Sequence, residues 1–334
     1  MHTDVNSWGM IGHTWAVDLL ARHITNQRIR HAYLITGPQS IGRRTLALRF
    51  AQSLNCPQPP APGTPCRTCR TCNQIENLQH PDLSVIKTLE DKKQIIIDQI
   101  RELQRTLSLA PYEAPYRIAL LLNFEEANPS AANALLKSLE EPPPKVIMLL
   151  TAVDTESLLP TIVSRCEKIR LRPTALDATI HGLGAHLEMD PQDAEPLARI
   201  AGGRPGFAIN LHQNPEIGEQ RSTWLDDHQE LLRSNRVARF QYAEALSNNK
   251  AVIPEVLQTW LTLWRDVLLC SHGAAAPISN IDRKTEIDHL TNVLKPTDVE
   301  KIIRQIERAN ILLSKNVNVR LTAEVLMLEL PYLR

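Results

Sequence analysis

The feature that most constrains the fold of this chain is a short loop with a glycine near each end. It lies between a strand-like run and a helix-like run. Residues 31–36 (His-Ala-Tyr-Leu-Ile-Thr) lead into the loop 37–45 (Gly-Pro-Gln-Ser-Ile-Gly-Arg-Arg-Thr), and residues 45–54 have the composition of a helix. A strand, a glycine loop and a helix in this order form the context of the phosphate-binding pattern G-x-x-x-x-G-K-[ST]. Because both glycines of the pattern are present, as Gly37 and Gly42, the stretch predicts a strand-to-helix turn of this type.

The two positions that give the pattern its chemistry are altered. Arg43 stands where the lysine would be, Arg44 stands where a hydroxyl would bind Mg²⁺, and Thr45 follows them. A guanidinium is a poor replacement for the compact lysine ammonium, and it offers no hydroxyl to a metal. This loop is therefore a candidate for a degenerate nucleotide-binding loop, and we do not expect it to bind ATP or Mg²⁺. Its candidate residues are Gly37, Gly42, Arg43, Arg44 and Thr45. An anion held by Arg43, Arg44 and the free amides of the helix N-terminus is an alternative.

Four further strand-like runs alternate with helix-like runs over the first half of the chain. They cover residues 82–87, 117–122, 146–151 and 168–171. The runs at 117–122 and 146–151 are continuously apolar, which is typical of parallel strands covered by helices on both faces. Five strands that alternate with helices predict an α/β domain with a doubly wound parallel sheet over residues 1–172.

The strand signal fades after residue 172. Residues 173–214 predict a small helical lid domain, which contains Gly-Gly-Arg-Pro-Gly at 202–206, and residues 215–334 predict an all-α domain. The hydrophobic content of 43% supports packed cores. A length of 334 residues is enough for two or three domains of roughly 100–150 residues each.

Composition and charge argue against several classes of protein. Lys+Arg and Asp+Glu both total 37, so a protein that grips nucleic acid over its whole surface is disfavoured. An aromatic content of 4% argues against platforms for base stacking. We see no signal-peptide pattern and no apolar run of the roughly 18 residues that a membrane span needs. We therefore expect a cytoplasmic protein with no membrane segment.

Four of the six cysteines are clustered in the Pro- and Thr-rich segment 56–72. Cys56, Cys66, Cys69 and Cys72 form the pattern C-x9-C-x2-C-x2-C. Since thiols stay reduced in the cytosol, this clustering favours a metal over disulfides, and four thiolates suit a tetrahedral Zn²⁺ with a purely structural role. Four incidental free cysteines are the alternative, and His80 is a further candidate ligand.

Several stretches follow one another in the order found in one protein family. They are the loop 37–45, the four-cysteine insertion, residues 133–143 (Asn-Ala-Leu-Leu-Lys-Ser-Leu-Glu-Glu-Pro-Pro) and residues 159–166 (Leu-Pro-Thr-Ile-Val-Ser-Arg-Cys). On these motifs the chain resembles the AAA+ family of bacterial DNA polymerase III clamp-loader subunits. Residues 316–321 (Asn-Val-Asn-Val-Arg-Leu) resemble the ending of the collar domain in one subunit type of that family.

This resemblance implies a fold, partners and an activity. The fold would be an AAA+ core of the P-loop type with a zinc-module insertion, a helical lid and an all-α collar. The partners would be gamma/tau and delta subunits in a hetero-pentameric ring, which places a sliding clamp on primer–template DNA. The chain would be a component of the DNA polymerase III holoenzyme and no enzyme by itself.

The resemblance also locates the acidic pair that hydrolysing members carry at the end of a later strand. Counted back from residues 133–136, the pair falls on Leu122 and Asn123, neither of which is a carboxylate. Together with Arg43 and Arg44, these residues imply that ATP hydrolysis has been lost. A shifted acidic pair at Glu125 and Glu126 is the alternative.

The triplet Ser164-Arg165-Cys166 is intact. In the family, the arginine of this motif acts as a finger that reaches the ATP site of the neighbouring subunit, so the resemblance implies that role for Arg165. A guanidinium is always charged and can contact phosphate oxygens through two donors. The alternative is a surface arginine in a local salt bridge. Thr151 matches the family's sensor position, and Arg204 stands near the sensor position of the lid. The alternatives are a strand-terminal threonine and a solvent-facing arginine at a helix start.

Two other functions stay open at this point. The first is that of an ATP-hydrolysing subunit of the gamma/tau type. The second is that of a zinc-module nucleic-acid-binding protein that acts outside a ring.

Overall fold

A computed structural model describes residues 6–89, 92, 94–250, 252–314 and 317–333 of the chain. These residues form two compact units. The first unit comprises the residues up to Ala194 together with Gly203–Phe207, and the second comprises Glu195–Gly202 and the residues from Ala208 onward. The division into core, lid and collar at residues 172/173 and 214/215 stays a prediction. Within the described ranges, no helix has the length and hydropathy needed to cross a membrane.

The first unit is built on a five-stranded parallel sheet, which confirms the predicted α/β fold. Its strands are β1 (Ala32–Thr36), β2 (Leu83–Ile86), β3 (Arg117–Leu121), β4 (Val146–Ala152) and β5 (Glu167–Arg170). Their order in the sheet is β2-β3-β4-β1-β5, and every neighbouring pair is parallel. The three central strands are buried along their whole length. Their apolar runs therefore reflect a sheet with helices on both faces.

Alternate residues of the central strands enter two separate apolar cores. In β1, Tyr33 and Ile35 face the core that contains Phe50 of the helix after the glycine loop, whereas Leu34 faces the opposite core. Successive side chains of a strand point to opposite faces, so one short strand contributes to both layers. The helices of the first unit are α1 (Thr14–Thr25), α2 (Arg43–Asn55), α3 (Arg70–Glu76), α4 (Ile97–Leu107), α5 (Pro129–Glu140), α6 (Pro160–Val163) and α7 (Leu176–Leu187).

Local signals in the sequence set the ends of α5. The side chain of Asn128 accepts a hydrogen bond from the amide of Ala131 at 2.8 Å, and Pro129 is the first helical residue. An asparagine cap followed by proline is a favoured helix start, because proline lacks the amide that would be unpaired there. The helix ends at Glu140, ahead of prolines 142–144.

The second unit is wholly helical in its described residues. Two helices, α8 (Pro191–Ala201) and α9 (Pro205–Gln213), have their first residues assigned to the first unit and the rest to the second. The helices that follow are α10 (Pro215–Arg233), α11 (Arg236–Asn248), α12 (Ile253–Ser271), α13 (Lys284–Val293), α14 (Pro296–Ser314) and α15 (Val319–Glu329). Asn318 caps α15, because its side chain accepts a hydrogen bond from the amide of Leu321 at 3.1 Å. Asn316, the first residue of the predicted collar ending, lies outside the described residues.

A buried histidine packs between two tryptophans in the core of the second unit. The indole Nε1 of Trp264 donates to Nε2 of His228 at 3.1 Å, and Trp260 and Trp264 are fully buried around that ring. Burial lowers the pKa of His228 to about 3. The ring is therefore neutral at pH 7 and can accept the indole hydrogen bond.

Asp82 ties the start of β2 to the loop before β3. Its carboxylate is buried and accepts hydrogen bonds from the amides of Tyr112, Glu113 and Ala114, at 2.6, 2.9 and 3.0 Å. Arg117 donates to it at 3.1 Å. Burial alone would raise the pKa of Asp82, but these donors outweigh it and hold the pKa below its usual value. The carboxylate therefore stabilises the fold in its charged form.

We expect Asp82→Asn to lower the free energy of unfolding by about 3 kcal/mol at pH 7, since it leaves the buried Arg117 without its counter-charge. The folded pKa is depressed, so this stabilisation is present above the unfolded pKa of about 4 and is lost as the pH falls through the folded pKa. Urea unfolding of the two proteins at several pH values measures the effect. Asp98→Asn, at an exposed aspartate, serves as the control. An equal loss of unfolding free energy in both variants would contradict the stabilising role of Asp82.

Candidate functional site

The glycine loop has the strand–turn–helix geometry that its sequence predicts. Strand β1 ends at Thr36, the loop follows, and α2 begins at Arg43 directly after Gly42. Gly37 has a φ of +151°, and a Cβ atom there would lie 2.8 Å from the backbone oxygen of Leu171. Any larger residue would push the loop away from the segment after β5, so the close approach requires glycine.

The side chain of Arg43 turns inward and pairs within the chain. Its Nη2 donates to Oδ1 of Asn123 at 3.3 Å, and its Nη1 lies 3.7 Å from Oε1 of Glu125. Arg43 is only 7% exposed. Burial lowers the pKa of its guanidinium and raises the pKa of the Glu125 carboxyl. The position that holds a phosphate-binding lysine in the intact pattern therefore carries a cation already engaged by groups of its own chain. Arg44 and Thr45, the next two residues, are exposed.

The end of β3 differs from an acidic metal-binding strand end. The strand stops at Leu121, Leu122 packs against an apolar core, and Asn123 adopts a left-handed conformation with φ 49°. This turn starts a 3-10 helix (Phe124–Glu126), which brings Glu125 towards Arg43. The amide of Asn123 donates to Oγ1 of Thr151 on β4 at 2.9 Å. Thr151 thus ties the ends of β3 and β4 together.

The segment Gly203–Phe207, which includes the start of α9, also contacts the glycine loop. The amide of Gly206 donates to the backbone oxygen of Ser40 at 3.0 Å. The guanidinium of Arg204 lies over the ring of Phe207, 4.6 Å from its centroid, and burial lowers its pKa. Arg204 is therefore stacked on an aromatic ring beside the loop.

The three residues of the Ser-Arg-Cys triplet have different environments. Cys166 is buried in the core beneath α5, and burial raises the pKa of its thiol to about 12. Ser164 donates its hydroxyl to the backbone oxygen of Thr161 at 3.0 Å, and Arg165 donates to the same oxygen at 2.9 Å. The side chain of Arg165 keeps 33% of its surface exposed. The triplet therefore anchors the segment through cysteine and presents the arginine.

The four clustered cysteines come together in space as well as in sequence. One sulfur atom from each of Cys56, Cys66, Cys69 and Cys72 lies within 4.8 Å of the others, a spacing suited to one metal ion. Backbone amides face three of the sulfurs, at 3.3 to 3.5 Å. The amide of Cys69 is the main cause that lowers the pKa of Cys66 to about 6, whereas burial raises the pKa of Cys56 and Cys72. The set can bind a metal ion as thiolates.

His80, the other candidate ligand, lies outside this cluster. Its Nδ1 accepts the amide hydrogen of Asp82 at 3.0 Å, and its Nε2 lies 3.4 Å from a carboxylate oxygen of Glu113. Burial lowers its pKa. These contacts give His80 a local structural role beside β2.

The cysteine module also holds the N-terminal segment, a contact that the sequence did not reveal. The buried indole of Trp8 donates to the backbone oxygen of Gly63 at 2.9 Å. A Cβ atom on Gly63 would lie 2.8 Å from the backbone oxygen of Ala21 on α1, so the module packs directly on that helix. From Trp8 the segment runs on to the glycine loop, where Nε2 of His13 donates to the backbone oxygen of Ile41 at 3.1 Å. The module thus seats the segment 6–13 beside the loop.

Comparisons with known proteins show which family the chain resembles. The family model described as "DNA polymerase III, delta subunit" matches residues 12–175. The DNA polymerase III subunit delta' of Pseudomonas aeruginosa is 36% identical over 235 residues, which cover 70% of each chain. The Bacillus subtilis subunit delta' is 29% identical over 317 residues, 93% of this chain and 94% of that one.

This chain belongs to the delta' family of DNA polymerase III subunits. The ending at residues 316–321, which resembles the delta' collar, agrees with this assignment. The Escherichia coli subunit tau is also similar, with 31% identity over 207 residues, but these cover 60% of this chain and only 32% of that protein. The similarity of this delta' family member to tau is therefore confined to part of the larger subunit.

Removing a metal ion bound at the four cysteines should loosen the N-terminal segment. We expect a chelator with a reductant to increase amide hydrogen exchange in residues 6–13 and to shift tryptophan fluorescence to the red, because Trp8 loses the partner that holds it. Trp8→Phe should abolish the fluorescence shift, whereas Trp15→Phe, which removes a half-exposed indole, should keep it. Faster exchange confined to residues 56–76 would contradict the coupling.

Proposed function

We propose that this chain is a non-hydrolysing delta' subunit of the DNA polymerase III clamp loader, which loads the sliding clamp onto primed DNA. Membership in the delta' family supports the assignment. One observation supports the lack of hydrolysis most strongly: the guanidinium of Arg43 is buried and paired with Asn123 and Glu125. A nucleotide phosphate would have to displace these partners to reach the cation.

The metal requirements of phosphoryl transfer are also unmet in this loop. Transfer uses a hydroxyl and carboxylates to hold Mg²⁺ and a group to orient the attacking water. Arg44 replaces the hydroxyl, and Leu122 and Asn123 stand at the two acidic positions. Glu125, the nearby carboxylate, is directed to Arg43 and to the amide of Val153, whose hydrogen it accepts at 3.2 Å. We infer that this core neither binds MgATP tightly nor hydrolyses it.

The chemical contribution of the chain is then the finger residue Arg165. Its guanidinium is permanently charged and partly exposed, and the buried Cys166 next to it fixes the backbone. In the proposed ring, Arg165 would contact the nucleotide phosphates of an adjacent gamma/tau-type subunit and stabilise the charge that develops during transfer. Ser164 would hold the turn that presents it.

The remaining parts of the proposal concern assembly and metal. The partners are gamma/tau and delta subunits in a hetero-pentameric ring, together with the sliding clamp and primer–template DNA. The all-α part from residue 215 would serve as the collar of that ring. The ion at the four cysteines would be zinc, because four thiolates without an open coordination position form the usual structural zinc site.

Arg165→Ala tests the finger. In a complex reconstituted with its partner subunits, hydrolysis at the site that Arg165 serves should fall by roughly 10³–10⁵-fold. Total ATP turnover should therefore fall by the amount that this site contributes. The measurement is clamp- and DNA-stimulated ATP turnover, with the mass of the complex checked in solution.

The matched control is Arg105→Ala, which removes a more exposed arginine that pairs with Glu102. Turnover of this variant should equal that of the unmodified complex. If Arg165→Ala assembles normally and also hydrolyses at the full rate, the finger role is wrong.

A further inference from the structure

The side chain of Arg165 pairs with Glu140, a residue outside the Ser-Arg-Cys motif. Its Nη2 donates to Oε1 of Glu140 at 2.6 Å, while its Nη1 donates to the backbone oxygen of Thr161 at 2.9 Å. The two partners belong to different elements, since Glu140 is the last residue of α5 and Thr161 lies in α6. The guanidinium is therefore fixed from two directions.

The location of Glu140 favours a cation for two reasons. Its carboxylate carries a full negative charge, and the last turn of a helix has unpaired carbonyl groups that attract positive charge. The α5 helix ends at Glu140 because Glu141 leaves the helical conformation and prolines follow it. The end of α5 is thus aligned to meet Arg165.

The pairing leaves the arginine able to bind phosphate. A guanidinium has five N–H donors, and Arg165 uses two of them on Glu140 and Thr161. With respect to the described residues of the chain, the other three remain available to an outside ligand. A free arginine side chain loses considerable rotamer freedom when it is immobilised, so a side chain already tethered within its own subunit loses less.

We propose that Glu140 is a positioning residue for Arg165. Its carboxylate holds the guanidinium at the angle from which the remaining donors reach the phosphates of an adjacent nucleotide. The proposal rests on the finger role of Arg165 given above. It concerns orientation rather than stability, because an ion pair this exposed, with 33% and 50% of the two side chains accessible, contributes little to folding.

The first experiment tests the pair in the isolated chain, independently of any finger role. Phenylglyoxal modifies accessible guanidinium groups, and mass spectrometry gives the rate at Arg165. We expect Glu140→Ala to raise that rate about three- to tenfold, and Glu140→Gln to give an intermediate rate, because a neutral acceptor forms a weaker bond than a carboxylate. Glu141→Ala, which removes the same charge one residue further on, should leave the rate unchanged. An unchanged rate in Glu140→Ala would overturn the proposal.

The second experiment measures ATP turnover in the reconstituted complex. Glu140→Ala should lower kcat at the site served by Arg165 about three- to tenfold and leave KM for ATP within about twofold, since misalignment weakens the transition state more than nucleotide binding. Glu140→Gln should restore part of the loss, and Glu141→Ala should behave like the unmodified complex. In an Arg165→Ala background, Glu140→Ala should have no additional effect, because both changes act on one interaction.

Two results in the complex would contradict the positioning role. A loss that persists in the Arg165→Ala background would show that Glu140 acts independently of the arginine. A rise in kcat would show that the carboxylate competes with the phosphate for Arg165. If Arg165→Ala alone has no effect, the finger role fails, and the phenylglyoxal experiment still decides whether Glu140 holds the arginine.

Discussion

The parallel pairing of β4 with both β1 and β3 is the constraint on which the loop region depends. Parallel strands end at the same edge of a sheet, so this order places the ends of β1, β3 and β4 side by side. The glycine loop follows β1, Asn123 follows β3, and Thr151 lies near the end of β4. Because of this arrangement, Arg43 can reach Asn123, 80 residues further along the chain, and Asn123 can bond Thr151.

The buried cation supports the proposal that this fold is stable without a bound nucleotide. In an intact loop, the negative charge of the bound phosphates balances the positive charges of the lysine and of Mg²⁺. Here the charge of Arg43 is balanced by Glu125, and Asn123 accepts one of its hydrogen bonds. A buried charge without a partner is strongly destabilising, so the internal pair allows the loop geometry to remain stable with no nucleotide bound. In the proposed function, the chemical contribution comes instead from Arg165, which lies far from the loop along the chain.

The sequence predicted the parts of the structure that follow from local patterns. Apolar runs specified the strands, Asn128-Pro129 specified the start of α5, and close spacing brought the four cysteines together. It did not predict the contacts of Arg43, because the left-handed turn at Asn123 redirects Glu125, and asparagine tolerates this conformation without requiring it. The Trp8–Gly63 and Arg165–Glu140 contacts join residues 55 and 25 positions apart, and only the folded chain brings them together.

We propose that the loop of this delta' family member receives no nucleotide because Arg43 is already paired with Asn123 and Glu125. Equilibrium binding of fluorescently labelled ATP with Mg²⁺ to the isolated chain tests it most directly. We expect no saturable binding up to about 1 mM, the upper end of ordinary KM values. Tight binding that requires Mg²⁺ and is lost in a Gly42→Val variant would contradict it.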